Sequence, residues 1–543
     1  MEKMKFTSPS LFVYEKTIKF LSAIAVLLIA FYSTSCSDKS NPIGDRSTGV
    51  ITTPPTRVTG SPFPVSQKPD TLYVVDEASF TSAQLITIHT LQGILAQSKP
   101  RIYTINGSNY YNVWLADLQK NYGVTCIYTY QADFKGLLDH FKGYLSGYIL
   151  STETEPSLDV AVSLAGIKKA VVVTAANEKV AQELGLSIIE DATNENYDSF
   201  YTQHSSELNK NILCFQKASK ANFLVDYATF AKCSFYYGTF STSTTARVFS
   251  GMNPNSALFG WGDDEYTLVK QSSSHSISVN AADYASNISV FSNIGAEPKQ
   301  AKYVTDPEVK QGVHTVCFLM TDGDNIQWTL NSFIANSDWY GSPLRQTMNM
   351  GWTISPVMAE IAPNILKYYY DHAGTKDGGR DYFVASPSGM GYTFPDLYAD
   401  LSTFASLTAQ TMKKADLRIL NILGNDKSSA YLSPFLAQDQ IDAIFFYYYS
   451  DYSGGNGSIS WINGKPVITG RYTYAHVDAQ ELANVINALP VDITSPNGYS
   501  LIPVHVWSEN VQSVADAIKL FNSRVRVVTP DEFVSLIKKN IRH

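Results

Sequence analysis

The sequence predicts an α/β protein: a C-terminal TIM-like (β/α) barrel of seven or eight strands, preceded by a Rossmann-like α/β domain and a smaller mixed α+β region. Three observations point there. Short apolar runs alternate with helical stretches along most of the chain, the pattern of a parallel sheet covered by helices. Eight such units fit into about 240 residues at the C-terminal end, the size of a (β/α)₈ barrel. Finally, the run HTVCFLMTDGDNIQW, His314 to Trp328, joins a strand apolar on both faces to a tight polar turn. In parallel α/β domains, ligands sit where strands end.

Composition bounds the function. With 543 residues the chain holds several domains. Hydrophobic content of 44% and charged content of 17% describe a folded rather than a disordered protein. A net charge of -8 leaves no basic stripe to meet phosphates, so no nucleic-acid partner is expected. The 34 Tyr and 7 Trp suit a sugar-handling surface, and suit an ordinary core equally well. The cysteines, Cys36, Cys126, Cys214, Cys233 and Cys317, show no zinc spacing. Cys317 lies mid-strand as a small core residue, and any Cys214–Cys233 disulfide is left open.

Residues 1–36 carry Lys3, Lys5, Lys16 and Lys19, then an apolar run from Phe20 to Phe31, then Ser33-Thr34-Ser35-Cys36. That order is a secretory signal, with an apolar run too short to span a bilayer permanently. Cys36 after small residues resembles a bacterial lipobox, although Ser33 stands where Leu is common. The resemblance implies cleavage before Cys36, its lipidation, and a membrane partner at the cell envelope. Ser37 replaces the Asp that would hold a lipoprotein at the inner membrane, so the outer membrane is expected. A plain secretory signal is the alternative. Residues 37–70, rich in Ser, Pro, Thr and Gly, read as a flexible linker.

Residues 71–194 alternate strand and helix: Leu72 to Val75, Arg101 to Ile105, Thr125 to Tyr128, Gly147 to Leu150 and Ala170 to Val173 are the strands. No GxGxxG follows any of them, so no dinucleotide cofactor is expected. Residues 195–300 are less regular. Within them Asp263-Asp264-Glu265 read as a solvated turn or, less readily, as a cation site. In residues 301–543 the strands are Thr315 to Met320, Met350 to Ile354, Tyr382 to Ala385, Leu417 to Ile422, Ala443 to Tyr448, Val467 to Gly470, Leu501 to Val506 and Val525 to Val528.

If these strands form a barrel, their carboxyl ends bring together Asp322, Asp324, Asn325, Trp328, Ser388, Tyr392, Tyr449, Arg471, His505, Trp507 and Glu509. Carboxylates and amides suit hydroxyl groups, and aromatic faces suit a sugar ring. Asp324 or Asn325 serves equally well as a simple helix cap.

The run Gly389-Met390-Gly391-Tyr392-Thr393-Phe394-Pro395 matches the GxGYxYP signature, with Phe394 for the second Tyr. The turn Thr321 to Asn325, Ser355-Pro356, Val528-Thr529-Pro530-Asp531 and Thr90-Leu91-Gln92-Gly93 are similar to the same family. The resemblance covers nearly the whole mature chain. It implies α/β modules before a barrel-like domain, and glycoside hydrolysis, an activity assigned to the family mainly through association with sugar-processing domains.

Two carboxyls flanking a scissile bond are the usual equipment of such enzymes. Asp322 or Asp324 is expected in one role and Glu509 in the other, with Arg471 holding the ionised partner or serving only structure, and His505 as an alternative acid. A non-catalytic carbohydrate-binding lipoprotein is the second reading. No HxH or HxxxH pair supports a zinc deacetylase, and Ser388 lies outside G-x-S-x-G. Asp322 and Asp324 offer two oxygen ligands to a divalent cation, but the expected site is metal-free.

Overall fold

The computed structural model describes residues 60–107, 109–376 and 378–542; the expected signal segment, Cys36 and most of the linker lie outside them. Four sheets follow one another along the chain. The first is all-parallel, in the order β2-β1-β3, from β1 (Thr71–Asp76), β2 (Ile102–Ile105) and β3 (Thr125–Ile127). The second, order β5-β4-β6, holds β4 (Gly147–Ser151), β5 (Ala170–Thr174) and β6 (Ile188–Asp191). The Rossmann-like region is therefore two small sheets.

Residues 195–300 are more regular than their sequence suggests. They contain a four-stranded parallel sheet, order β10-β9-β7-β8, from β7 (Asn209–Phe215), β8 (Cys233–Tyr236), β9 (Ser256–Gly260) and β10 (Ile277–Asn280). These strands hide among Ser, Asn and Gly, which mask the apolar runs. Cys214 on β7 and Cys233 on β8 are both free thiols, 3.8 Å apart.

The fourth sheet follows from β11 (His314–Met320), β12 (Met350–Ile354), β13 (Thr375–Lys376), β14 (Gly379–Ala385), β15 (Ile419–Gly424), β16 (Ala443–Tyr448), β17 (Ile459–Ile462), β18 (Lys465–Thr469), β19 (Tyr499–Val504) and β20 (Val525–Val527). Its parallel path runs β18-β16-β15-β14-β12-β11-β19. Every residue of β11 is buried, as its apolar run requires.

The expected TIM barrel is met in part. Regular pairing does not close a ring: β18 and β19 meet through isolated bridges, Gly470 with Leu501 and Tyr474 with Val504. The chain leaves strand geometry after Thr469, so no ladder can form there. The expected eighth strand, β20, pairs with His314–Val316, while β12 takes Leu319 and Met320 of the same strand. Eight predicted strands thus become seven positions. β17 is an antiparallel hairpin partner of β18.

Residues 60–70 do not behave as a tether. Phe63 is buried against Phe259, and Ser66 N–H donates to Asn293 Oδ1 at 2.5 Å. The Thr90–Gly93 motif knots the N-terminal sheets together. Gln92 Nε2 donates to Asn287 Oδ1 at 2.8 Å, and Val172 N–H donates to Thr90 Oγ1 at 3.1 Å. A Cβ on Gly93 would sit 2.4 Å from the Asp226 carbonyl, so only glycine lets the two helices approach. Among the described residues no helix is long and apolar enough to cross a membrane.

Candidate active site

β11 delivers the turn Thr321–Asn325 at its carboxyl end. Asp322 sits at φ +64°, a left-handed conformation that Asp tolerates better than most residues. Two donors hold its carboxylate: the Thr321 hydroxyl and the Trp507 indole N–H, the latter at 3.1 Å. Gly323 N–H donates to Thr353 Oγ1 on β12 at 2.9 Å. A Cβ there would lie 1.8 Å from the Thr353 carbonyl, so the turn needs glycine for close approach. Asn325 makes no side-chain capping bond to the helix it precedes. Its Nδ2 instead donates to the Asp322 carbonyl at 3.1 Å.

The β7–β10 unit meets the helix that follows this turn, with Gln327 N–H donating to the Ala281 carbonyl at 3.3 Å, and it carries a further carboxyl. Asp263 pairs with Lys217 and the Tyr237 hydroxyl, and Asp264 caps the helix Glu265–Ser274 through Thr267 N–H at 2.7 Å. That frees Glu265 to reach the other way, where its Oε1 accepts from Tyr392 Oη at 3.0 Å. The three acids at 263–265 therefore divide among three tasks. Among the described residues, no group of three or more His, Cys, Asp or Glu is arranged to hold a metal.

Burial and the charge of Asp322 push the Asp324 carboxyl well above the ordinary carboxylate range, with Glu265 adding to the effect. The same two causes push Glu265 from 4.5 up to about 7, against the opposing hydrogen bond from Tyr392. Asp322 is thus the charge common to both neighbours. The Tyr452 hydroxyl lies in the field of all three acids and is driven upward by burial and then by their charges. Its ring stacks on Tyr447 at 5.4 Å.

Aromatic walls flank the acids. Trp328, Trp339 and Trp507 pack edge-to-face, with centroids 5.3, 5.8 and 5.9 Å apart. Trp507 is 48% exposed, so its face is open to a ligand. On the Glu265 side, Tyr266, Phe394 and Tyr449 form a second cluster, with centroid distances of 5.3 to 5.5 Å.

The Gly389–Pro395 loop joins the two halves. Tyr392 pairs antiparallel with Val279 of β10 through bonds of 2.7 and 3.0 Å. Phe394 N–H donates to Ser273 Oγ at 2.9 Å. Gly391 sits at φ +140°, and a Cβ there would lie 2.8 Å from the Ser278 Cβ.

Of the other expected site residues, Arg471 and Ser388 are tied to backbone carbonyls, while His505 and Glu509 flank Trp507 on the segment that follows β19. Arg471 donates to the carbonyls of Tyr499, Gly457 and Pro496. Its charge reaches His314, at the foot of β11, about 23 Å by strand rise from the turn at its top. Ser388 is fully buried and donates to the Leu423 carbonyl at 3.1 Å. Glu509 is buried, and its charge acts on Tyr474. His505 bonds Ser508 at 3.0 Å and borders the Tyr452 ring at 6.5 Å. Two open cavities, of about 450 and 430 Å³, are lined by other residues and contain none of these carboxyls.

Sequence reasoning missed Trp339, Tyr452, Tyr266 and the part played by Glu265. The Asp263-Asp264-Glu265 run flagged Glu265 alone, because the pairing depends on how separate sheets dock.

Four family models match in succession: the GxGYxYP first domain at 71–143, second domain at 145–208, third domain at 209–293, and the "GxGYxYP putative glycoside hydrolase C-terminal domain" at 312–538. A crystal structure described as a "putative hydrolase" from Bacteroides thetaiotaomicron is similar at TM-score 0.80 and 28% identity, covering 88% of this chain and 96% of that one. No curated protein matches.

Proposed function

We propose, from the premise that this chain belongs to the GxGYxYP family, that it hydrolyses glycosidic bonds in an oligo- or polysaccharide. The observation that carries this is Asp322, a carboxylate held by two donors beside two carboxyls pushed toward their protonated form, between aromatic walls. Asp322 acts on the anomeric carbon, as nucleophile or through a water. Asp324 or Glu265 gives a proton to the departing oxygen. Trp328, Trp339 and Trp507 stack on sugar faces. Glu509 and Arg471 are not needed for the chemistry in this scheme.

The test is a panel of plant, host and microbial glycans digested with the whole protein and read by mass spectrometry. Wild type releases shorter saccharides, and Asp322→Asn slows release by about 10²–10⁴-fold with an unchanged melting curve. Binding to a glycan array without any product would select a carbohydrate-binding role instead. We also place the protein at the cell envelope, anchored by lipid on Cys36. Cys36→Ala is expected to move it from the membrane fraction to the soluble one.

A further inference from the structure

We propose that Glu265, carried by the third domain, is the residue that protonates the leaving oxygen, so that the active site is built from two domains. This refines the hydrolase assignment and rests on it. Asp322 and Asp324 lie two residues apart on one turn, so both come from a single element of the C-terminal domain. Glycosidic cleavage needs its two carboxyls on either side of the scissile bond. Glu265 opens the helix between β9 and β10, in a separate unit that meets the helix after the Asp322 turn where Gln327 N–H donates to the Ala281 carbonyl at 3.3 Å, and the Asp322 charge acts on its carboxyl.

The placement is fixed, not incidental. Asp264 caps the helix, leaving Glu265 in its first turn. Tyr392 grips the carboxyl through its hydroxyl and is itself paired by its backbone to β10. The GxGYxYP loop thus holds Glu265 and the end of β10 to the C-terminal domain. At the end of β10, Asn280 is 2% exposed, and neither amide atom has a partner. It lies beside Gly391, whose Cβ would come within 3.2 Å of its Nδ2. A buried polar group left unpaired next to this loop supports a ligand at the domain junction.

In the first step the C1–O bond breaks, its electron pair goes to the leaving oxygen, and Glu265 supplies the proton. Asp322 forms the new bond to C1 directly or takes a proton from water that does so. In the direct route, Glu265 then takes the proton from the water that releases the sugar. Atoms and charge balance, and no co-reactant besides water is needed. A carboxyl held up to about 7 fits this cycle, since near neutrality it can both give and take a proton. Asp324 is left to donate a hydrogen bond to a sugar hydroxyl.

The experiment compares wild type, Glu265→Gln and Asp324→Asn on phenyl and 2,4-dinitrophenyl glycosides of the sugar that wild type releases. Phenolate needs protonation and dinitrophenolate does not. In kcat/KM, which reports the first bond-breaking step, E265Q is expected to lose about 100-fold on the phenyl glycoside, less than about 10-fold on the dinitrophenyl one, and the alkaline limb of its pH profile. Activity of E265Q within threefold of wild type on both, or a leaving-group-selective loss in D324N instead, overturns the proposal while the hydrolase assignment stands. A wild type that cleaves nothing in the glycan panel overturns both. Gln keeps the bond to Tyr392, so E265Q should fold. If it does not, Glu265→Asp carries the test: a shifted alkaline limb supports the role, and an unchanged profile refutes it.

Discussion

Glu265 begins a helix, where the macrodipole favours a negative charge. Burial and Asp322 outweigh that preference and hold the carboxyl up to about 7, from 4.5. Between about 4.5 and 7 the folded state binds more protons than the unfolded chain, so stability falls as pH rises across that window. Asp324 is raised also, by burial and the Asp322 charge, and adds to the decline. Melting curves from pH 4.5 to 8 are expected to show a steeper fall for wild type than for E265Q; parallel curves would contradict the assigned environment. Trp507 combines an exposed face with a hydrogen bond to Asp322. Trp507→Ala should raise KM by about 5- to 10-fold, the weight of about 1 kcal/mol of ring contact, and lower kcat as well.

The Thr321–Asn325 turn was legible because a buried strand ending in Asp-Gly-Asp-Asn leaves few alternatives. The glycines of the signature loop stand out in the sequence, but what they approach does not. That contact is Ser278, on a strand hidden among Ser and Asn. Gly391→Ala should therefore loosen the third domain from the C-terminal one, lowering the melting temperature and kcat together. Arg471 shows the opposite limit. Its place after a strand suggested the mouth, but irregular chain following β18 carries it to the foot of β11, where backbone carbonyls take its protons. Arg471→Ala should cost about 2 kcal/mol in a denaturant titration and leave kcat/KM at low temperature unchanged.

At the scale of the molecule, periodicity identified the parallel C-terminal sheet and most of its strands, two of them, β12 and β16, to the residue. It could not show that β20 and β12 share one edge of β11, nor that β18 and β19 meet only through bridges, because both depend on register between distant segments. The same limit hid the third domain's contribution to the site. Four successive domains now have a reason to travel together: Gln92 and Thr90 lock the N-terminal sheets, and the signature loop locks the third domain to the acids of the fourth. The claim on which all this depends is that Asp322 sits at a sugar-cleaving centre. The most direct measurement is saccharide release by wild type and by Asp322→Asn, each with its melting temperature. Products from wild type and near-complete loss in a stably folded D322N are predicted; undiminished release by D322N would contradict the account.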